Sequence, residues 1–107
     1  MCSAFFAAAT LSAANAADKV VFQLDWLPGG DKAPIFVCIH QGFCADAGLE
    51  VTIEQGRGSS EAVTKLATGV SDIGISGIGA LMAAKANEDV PVTAVMSLYN
   101  MGPHAFY

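Results

Sequence analysis

The stretch Gln23-Leu24-Asp25-Trp26-Leu27-Pro28-Gly29-Gly30-Asp31-Lys32-Ala33-Pro34 decides the fold. An extended apolar run ends in the single tryptophan of the chain. A Pro28-Gly29-Gly30 turn follows, and a second proline then opens a helix-like segment. That order reads as strand, loop, helix. In α/β proteins the loops at the carboxyl ends of parallel strands, beside helix N-termini, are where ligands sit. The expectation is a binding cleft whose rim starts at Asp25 and Trp26.

The same unit recurs downstream. Residues 19–24 form the first strand, β-branched or aromatic for the most part and bounded by the turn. A helix is expected from Ala33 or Pro34, where proline suits the first turn. Asp31 is placed to cap it, Ile35, Ile39 and Phe43 give it an apolar face, and Gly48 stops it. Residues 49–55 are the second strand. Leu49, Val51 and Ile53 alternate with Glu50, Thr52 and Glu54, the pattern of an edge strand with one wet face. The loop Gly56-Arg57-Gly58-Ser59-Ser60 leads into a second helix, capped by Ser59 or Ser60 and carrying Glu61 in its first turn. Ala62, Val63, Leu66 and Ala67 make its buried stripe, and Gly69 ends it. Residues 70–75 are a third strand, with Gly74 marking a close backbone approach. Ser76-Gly77-Ile78-Gly79 leads into a helix over 80–87. A fourth strand is expected over 91–96, a polar loop over 97–103, and the start of another strand over 104–107. This β-α-β-α-β-α-β order predicts an α/β fold with a mainly parallel sheet and flanking helices. The abrupt end after that order gives the further expectation of a piece of a larger protein.

Composition narrows the function. Over half of the 107 residues are hydrophobic and only 14% are charged, so a packed domain is expected and disorder is not. Ten acidic side chains against five basic ones, a formal charge of −5, disfavour nucleic acid, which needs clustered Lys and Arg. Residues 3–14 hold only small, apolar or hydroxyl side chains, and Ala14-Asn15-Ala16 has the form of a signal-peptidase site. Export is the expectation, with residues 1–17 as a signal peptide cleaved near Ala16 or Ala17 and residues 18–107 as the mature part. The expected basic start is missing, and an alanine-rich N-terminal helix is the competing reading. Cys38 and Cys44 lie six apart. In one continuous helix they would stand about 9 Å apart along the axis, beyond the reach of about 7 Å for a disulfide. Two free, largely buried thiols are therefore expected. No cysteine or histidine spacing suggests a metal site.

The residues with chemistry to offer all follow strands and fall on one sheet edge. Trp26 either stacks on a planar ligand or plugs the end of the sheet. Arg57, between two glycines and just before a helix, either pairs an anionic group beside free amides or is simply solvated. Ser59 and Ser60 read as caps whose neighbouring amides remain able to bind. Ser76 and Gly77 repeat the arrangement one strand over, and Tyr99 and Asn100 add a ring and an amide. The signal for catalysis is weak. His40 reads as a helix-surface residue, His104 has no neighbouring nucleophile, and Asp25 alone makes no mechanism. The Gly56–Ser60 loop lacks the lysine of a phosphate-binding loop, and Gly77-Ile78-Gly79 is too short for a dinucleotide fingerprint.

In order and spacing, these motifs resemble one family. Asp25-Trp26-Leu27-Pro28, Ala33-Pro34-Ile35-Phe36, Gln41-Gly42-Phe43 and Ala47-Gly48-Leu49-Glu50-Val51 are similar to the N-terminal part of certain substrate-binding proteins. These are the proteins of the nitrate, sulfonate and taurine group of ABC importers, a superfamily that includes proteins of thiamine-pyrimidine precursor synthesis and uptake. The Gly56–Ser60 loop, Lys65-Leu66-Ala67-Thr68-Gly69, Asp72-Ile73-Gly74 and Pro91-Val92 continue the match. The resemblance implies a type II periplasmic binding fold of two lobes closing on a small ligand, of which this chain supplies the first part of lobe 1. It maps the family's contacts onto Trp26 and the loop to Asp31, onto Gly56, Arg57, Gly58, Ser59 and Ser60, onto Ser76 and Gly77, and onto the region from Ser97 to Asn100. Members usually carry an aromatic where Cys44 stands and a small residue near Cys38. The pyrimidine-binding branch favours Asn, Thr and His where this chain has Gly29-Gly30-Asp31-Lys32, so a pyrimidine is not assumed.

The resulting expectation is a periplasmic, non-catalytic solute-binding component of an ABC importer. It takes a small polar or anionic ligand, is monomeric at full length, partners the membrane permease, and needs no cofactor. A pyrimidine-precursor synthase of the same fold and a truncated product without function are the alternatives.

Overall fold

The computed structural model describes residues 16–99. Three parallel strands form the sheet: β1 (Asp18–Gln23), β2 (Leu49–Glu54) and β3 (Ile73–Gly74), in spatial order β2-β1-β3. β1 is central, which suits its Val20-Val21-Phe22 run. It pairs β2 in full register from Asp18↔Leu49 to Gln23↔Glu54, and it pairs β3 through Phe22↔Ile73 and Gln23↔Gly74. β2 is an edge strand, as its alternation predicts. Leu49, Val51 and Ile53 are half-buried, while Glu50, Thr52 and Glu54 are exposed. The α/β class with helices flanking a parallel sheet is the one expected, and it is compatible with part of a periplasmic-binding-protein lobe.

Four helices connect and flank the strands: α1 (Ala33–His40), α2 (Phe43–Asp46), α3 (Ser59–Ala67) and α4 (Ile78–Asn87). α3 packs against β1, β3 and α4, and α2 packs against β2 and α1. The buried apolar residues are few: Leu24, Cys44, Ala62, Val63 and Leu81. Ala62 and Val63 lie on α3, which packs on β1, β3 and α4; Leu81 lies on α4, Leu24 follows β1, and Cys44 lies apart on α2. Gly48 and Gly69 end α2 and α3 with positive φ, as predicted.

Expectations are corrected in four places: the first helix with its two cysteines, the third strand, the fourth strand and the helix caps. The single helix over Cys38 and Cys44 is two. α1 ends at His40, Gly42 takes φ +80°, and α2 restarts at Phe43. A side chain at Gly42 would be strained, since that conformation is open mainly to glycine. The corner brings the two Cα atoms to 5.1 Å, and Cys38 and Cys44 form a disulfide where free thiols were expected. The same corner leaves Phe43 exposed on α2, off the apolar face expected of the first helix.

The third strand is shorter than residues 70–75. The Val70 and Ser71 amides donate back to the Lys65 carbonyl to finish α3, and the Asp72 carboxylate accepts the Val21 amide at 2.8 Å in place of a ladder bond. The fourth strand over 91–96 is not formed. β3, the last strand formed among the described residues, has only two paired residues. The Val90 and Val92 amides turn back onto the carbonyls two residues earlier, and Val95 and Met96 are exposed. The helix caps form the fourth correction. Neither Asp31 nor Ser59 nor Ser60 caps a helix by its side chain. The N-cap positions are Lys32 and Gly58, and neither makes a side-chain cap bond. The signal segment to residue 15, Cys2, and the strand start at 104–107 lie outside the described residues.

The disulfide closes a short ring, so its expected contribution is about 2 kcal/mol through the restricted unfolded chain. Alkylation without reductant is expected to leave Cys38 and Cys44 unmodified, and Cys38→Ser to lower the urea midpoint. Mass spectrometry of the alkylated protein checks the first, a denaturant titration the second.

Candidate functional site

The site is built on the end of β1. Gln23 and Leu24 are fully buried there, an unusual place for a glutamine, and each of its polar ends is satisfied. Its Nε2 donates to the Leu24 carbonyl at 2.8 Å, and its Oε1 accepts the Ser71 hydroxyl at 3.3 Å. The Leu24 amide donates to Glu54 O at 2.8 Å, which ties the exits of β1 and β2 together. Gly56 then runs against Leu24 so closely that a Cβ there would lie 2.1 Å from the Leu24 carbonyl oxygen. A Cβ at Gly74 would lie 2.7 Å from Gln23 O, the close approach predicted for that glycine.

Two pairs of loops meet above this floor. Ser59 Oγ accepts the Gly77 amide at 2.9 Å, and the Ser76 hydroxyl donates to Ser59 O at 3.2 Å. The loops after β2 and β3 are thereby stitched together through the residues singled out in each. On the other side, the Tyr99 hydroxyl donates to the Asp31 carbonyl at 3.1 Å across 68 positions of sequence. Trp26 remains 56% exposed and Tyr99 55% exposed, so both rings keep a free surface. Arg57 turns away from this group. Its side chain is 89% exposed and pairs with Glu61 one helical turn on, at 3.2 Å. The Arg57 hydrogen bond, and then Lys65, hold the Glu61 carboxyl below its usual range. Gly58 is the backbone N-cap of α3, and Ser60 accepts the Thr64 hydroxyl with its carbonyl at 3.0 Å. Asn100 lies outside the described residues.

Lys32 is the residue that sequence reasoning missed. It is buried, which lysine tolerates only when paired. Its ammonium pairs with Asp31 and stands 3.2 Å from Asp25 Oδ1. That oxygen is sealed from solvent, and the Lys32 ammonium is the charge that faces it. The hydrogen bond to Lys32 lowers the Asp31 pKa, and the same bond, with Asp25 behind it, raises that of Lys32. The Asp31 contribution to stability is therefore present above the ordinary carboxylate range and lost as pH falls through its depressed value. That of Lys32 is present below the ordinary lysine range and lost as pH rises through its elevated one. Trp26 emission is expected to stay flat across neutral pH and to change only at the two extremes, which a fluorescence titration checks. The available signal was a lysine preceded by two aspartates, Asp25 and Asp31, in a stretch without other charges.

A separate groove of about 370 Å³ lies between α3 and α4, lined by residues such as Val63, Ala67, Ala80 and Ala84. It lacks charged groups other than Glu88 at its end, and shares only Ser60 with the loops above. Among the described residues no three His, Cys, Asp or Glu side chains are grouped to hold a metal ion.

The profile of the NMT1/THI5-like family matches residues 30–107. Among curated proteins, the 4-amino-5-hydroxymethyl-2-methylpyrimidine phosphate synthases THI11 and THI5 of Saccharomyces cerevisiae are each 33% identical over 81 residues, 76% of this chain and 24% of theirs. The chain thus spans about a quarter of the length of these relatives. No solved structure matches.

Proposed function

Because the chain belongs to the NMT1/THI5-like family, we propose that it forms the front of the first lobe of an exported solute-binding protein serving an ABC importer. The carrying observation is the exposed indole of Trp26 at the end of the central strand, where loops from all three strands are hydrogen-bonded or packed together. A flat ring with polar backbone and hydroxyl groups around it suits capture of a small planar, polar ligand. In this reading Trp26 is the stacking wall and Tyr99 a second ring. Asp25 and Asp31 border the wall, and the Gly58–Ser60 and Ser76–Gly77 loops supply polar contacts, Arg57 serving an anionic group if it swings from Glu61. Asn100 extends the Tyr99 side. The second lobe, beyond these residues, closes the cleft, and the membrane permease receives the loaded, monomeric protein. The Cys38–Cys44 disulfide supports an oxidising compartment, as does the Ala14-Asn15-Ala16 motif.

The names of the yeast relatives favour a second reading, a pyrimidine phosphate synthase of the same fold. The described site offers it little. Among the described residues the only buried amine is Lys32, whose raised pKa keeps it protonated and poor as a nucleophile. A third reading, a truncated product without function, predicts that the chain has no cooperative denaturant transition.

Trp26→Ala in the full-length protein is expected to lower ligand affinity at least about tenfold, the loss of roughly 1.4 kcal/mol of stacking and burial, with far-UV circular dichroism unchanged. Native mass spectrometry of protein purified without refolding identifies the retained molecule, and calorimetry with that molecule reads the affinity. Unchanged affinity removes Trp26 from the site. A pyrimidine phosphate formed in turnover would instead select the synthase.

A further inference from the structure

We propose that Lys32 is the latch that fixes the Trp26 wall: by pairing with Asp25 and Asp31 it ties the two ends of the loop over 25–32 and holds the indole in place. The starting point is that packing alone does not hold Trp26. Trp26 and Leu27 are both more than half exposed, so packing holds the ring on one side only. The backbone has to do the rest. Residues 25–29 contain no helix or strand, and a loop with Pro28, Gly29 and Gly30 has no intrinsic single shape.

Three contacts give it one. At its far end the chain makes a short 3-10 turn over Gly30–Lys32, with the Lys32 amide donating to Gly29 O at 3.0 Å. That turn drives the lysine side chain inward, where the ammonium meets Asp25 at the near end, 3.2 Å away, and Asp31 beside it. Asp25 Oδ1 is sealed from solvent, and the Lys32 ammonium 3.2 Å away is the charge that offsets its burial, so removing that ammonium with the loop closed leaves the carboxylate unpaired. The Asp31 carboxylate folds back over Gly29, where a Cβ would lie 2.6 Å from Asp31 Oδ1, and the Asp31 carbonyl receives the Tyr99 hydroxyl at 3.1 Å. One ammonium thus closes an eight-residue loop on itself, and Tyr99 ties the closed loop to the far end of the described chain. Trp26 sits next to the latch point, one residue from Asp25. Lys32 touches no ligand in this scheme. It is a positioning residue, and its use as such rests on Trp26 being the binding wall proposed above.

The test needs no ligand, so its outcome is separate from that of the binding reading. Backbone ¹⁵N relaxation is measured on the whole chain and on Lys32→Met, with the triple variant Lys32→Met/Asp25→Asn/Asp31→Asn as a second form that leaves no carboxylate unpaired. In the parent, order parameters at Trp26 and Leu27 are expected near about 0.85. In whichever variant keeps the β1–β2 amide pattern they are expected to fall below about 0.6, the flexible range, while those of β1 and β2 do not move. Tyr99→Phe is expected to lower them less. Trp26 and Leu27 that stay rigid in a folded variant overturn the proposal. Failure of both variants to fold overturns it too, since Lys32 would then serve the fold as a whole. A rigid loop in a protein that binds nothing would count against the binding reading alone.

Discussion

Gly56→Ala is expected to disrupt the domain and its site together, with a loss of at least about 3 kcal/mol. The added methyl would lie 2.1 Å from the Leu24 carbonyl oxygen and 3.0 Å from the Asp25 carbonyl carbon and oxygen. All three are backbone atoms at the end of the central strand, so no rotamer change relieves the overlap. Either the β2–α3 loop lifts off β1 or β1 itself shifts. The first breaks the floor beneath Ser59 and Gly77. The second moves Asp25 and Trp26. The Leu24 amide bond to Glu54 O sits one residue from the clash and would lengthen in either case. A urea titration followed by circular dichroism reads the stability loss. A variant within about 0.5 kcal/mol of the parent would mean that the loop crosses β1 at a greater distance than described.

Leu24→Ala is expected to cost about 3–5 kcal/mol, the upper part of the range for a buried leucine. Leu24 is fully buried, and among the described residues four other apolar residues are buried as well. Removing its side chain opens a void beneath α3 and α4 at the point where the strand turns into the loop. Single domains are stable by about 5–15 kcal/mol, and a core this small belongs at or below the lower end, so the variant is expected to be largely unfolded at room temperature. The same titration checks it. A cooperative transition in the parent chain, lost in Leu24→Ala, would also count against the reading of a truncated product.

Much of this arrangement is legible in the residues alone, because it rests on local rules. Alternation at Leu49, Val51 and Ile53 gives the edge strand, Gly48 and Gly69 give helix ends, and the Trp26 corner gives the sheet edge where polar loops gather. What was not legible depends on contacts across the fold. Whether Cys38 and Cys44 meet depends on Gly42 breaking the helix between them, and the apolar residues on both sides continue the helical pattern through it. Ser59 looks like a cap from its neighbours, yet its hydroxyl is taken by Gly77, eighteen positions away. Lys32 looks like a surface lysine because burial by two carboxylates needs the loop to close first. The expected strand over 91–96 has the right side chains, but β3, the last strand formed among the described residues, has only two paired residues. Arg57 had two readings, and its outward pairing with Glu61 gives the solvated one its due.

The two edges of the sheet differ in what they would permit in concentrated solution. β2 presents Glu50 and Glu54, with Thr52 between them, along its exposed row, and like charges brought opposite one another in a new strand pair would repel. Self-association by strand addition is therefore blocked on that side. On the other side, β3 has Ile73 exposed and is followed by Ile78 and Met82 on α4, with Val95 and Met96 beyond, all of them exposed and none charged. Strand addition to this chain is therefore expected at β3 in preference to β2, and an acidic substitution at Ile73 is expected to lower it.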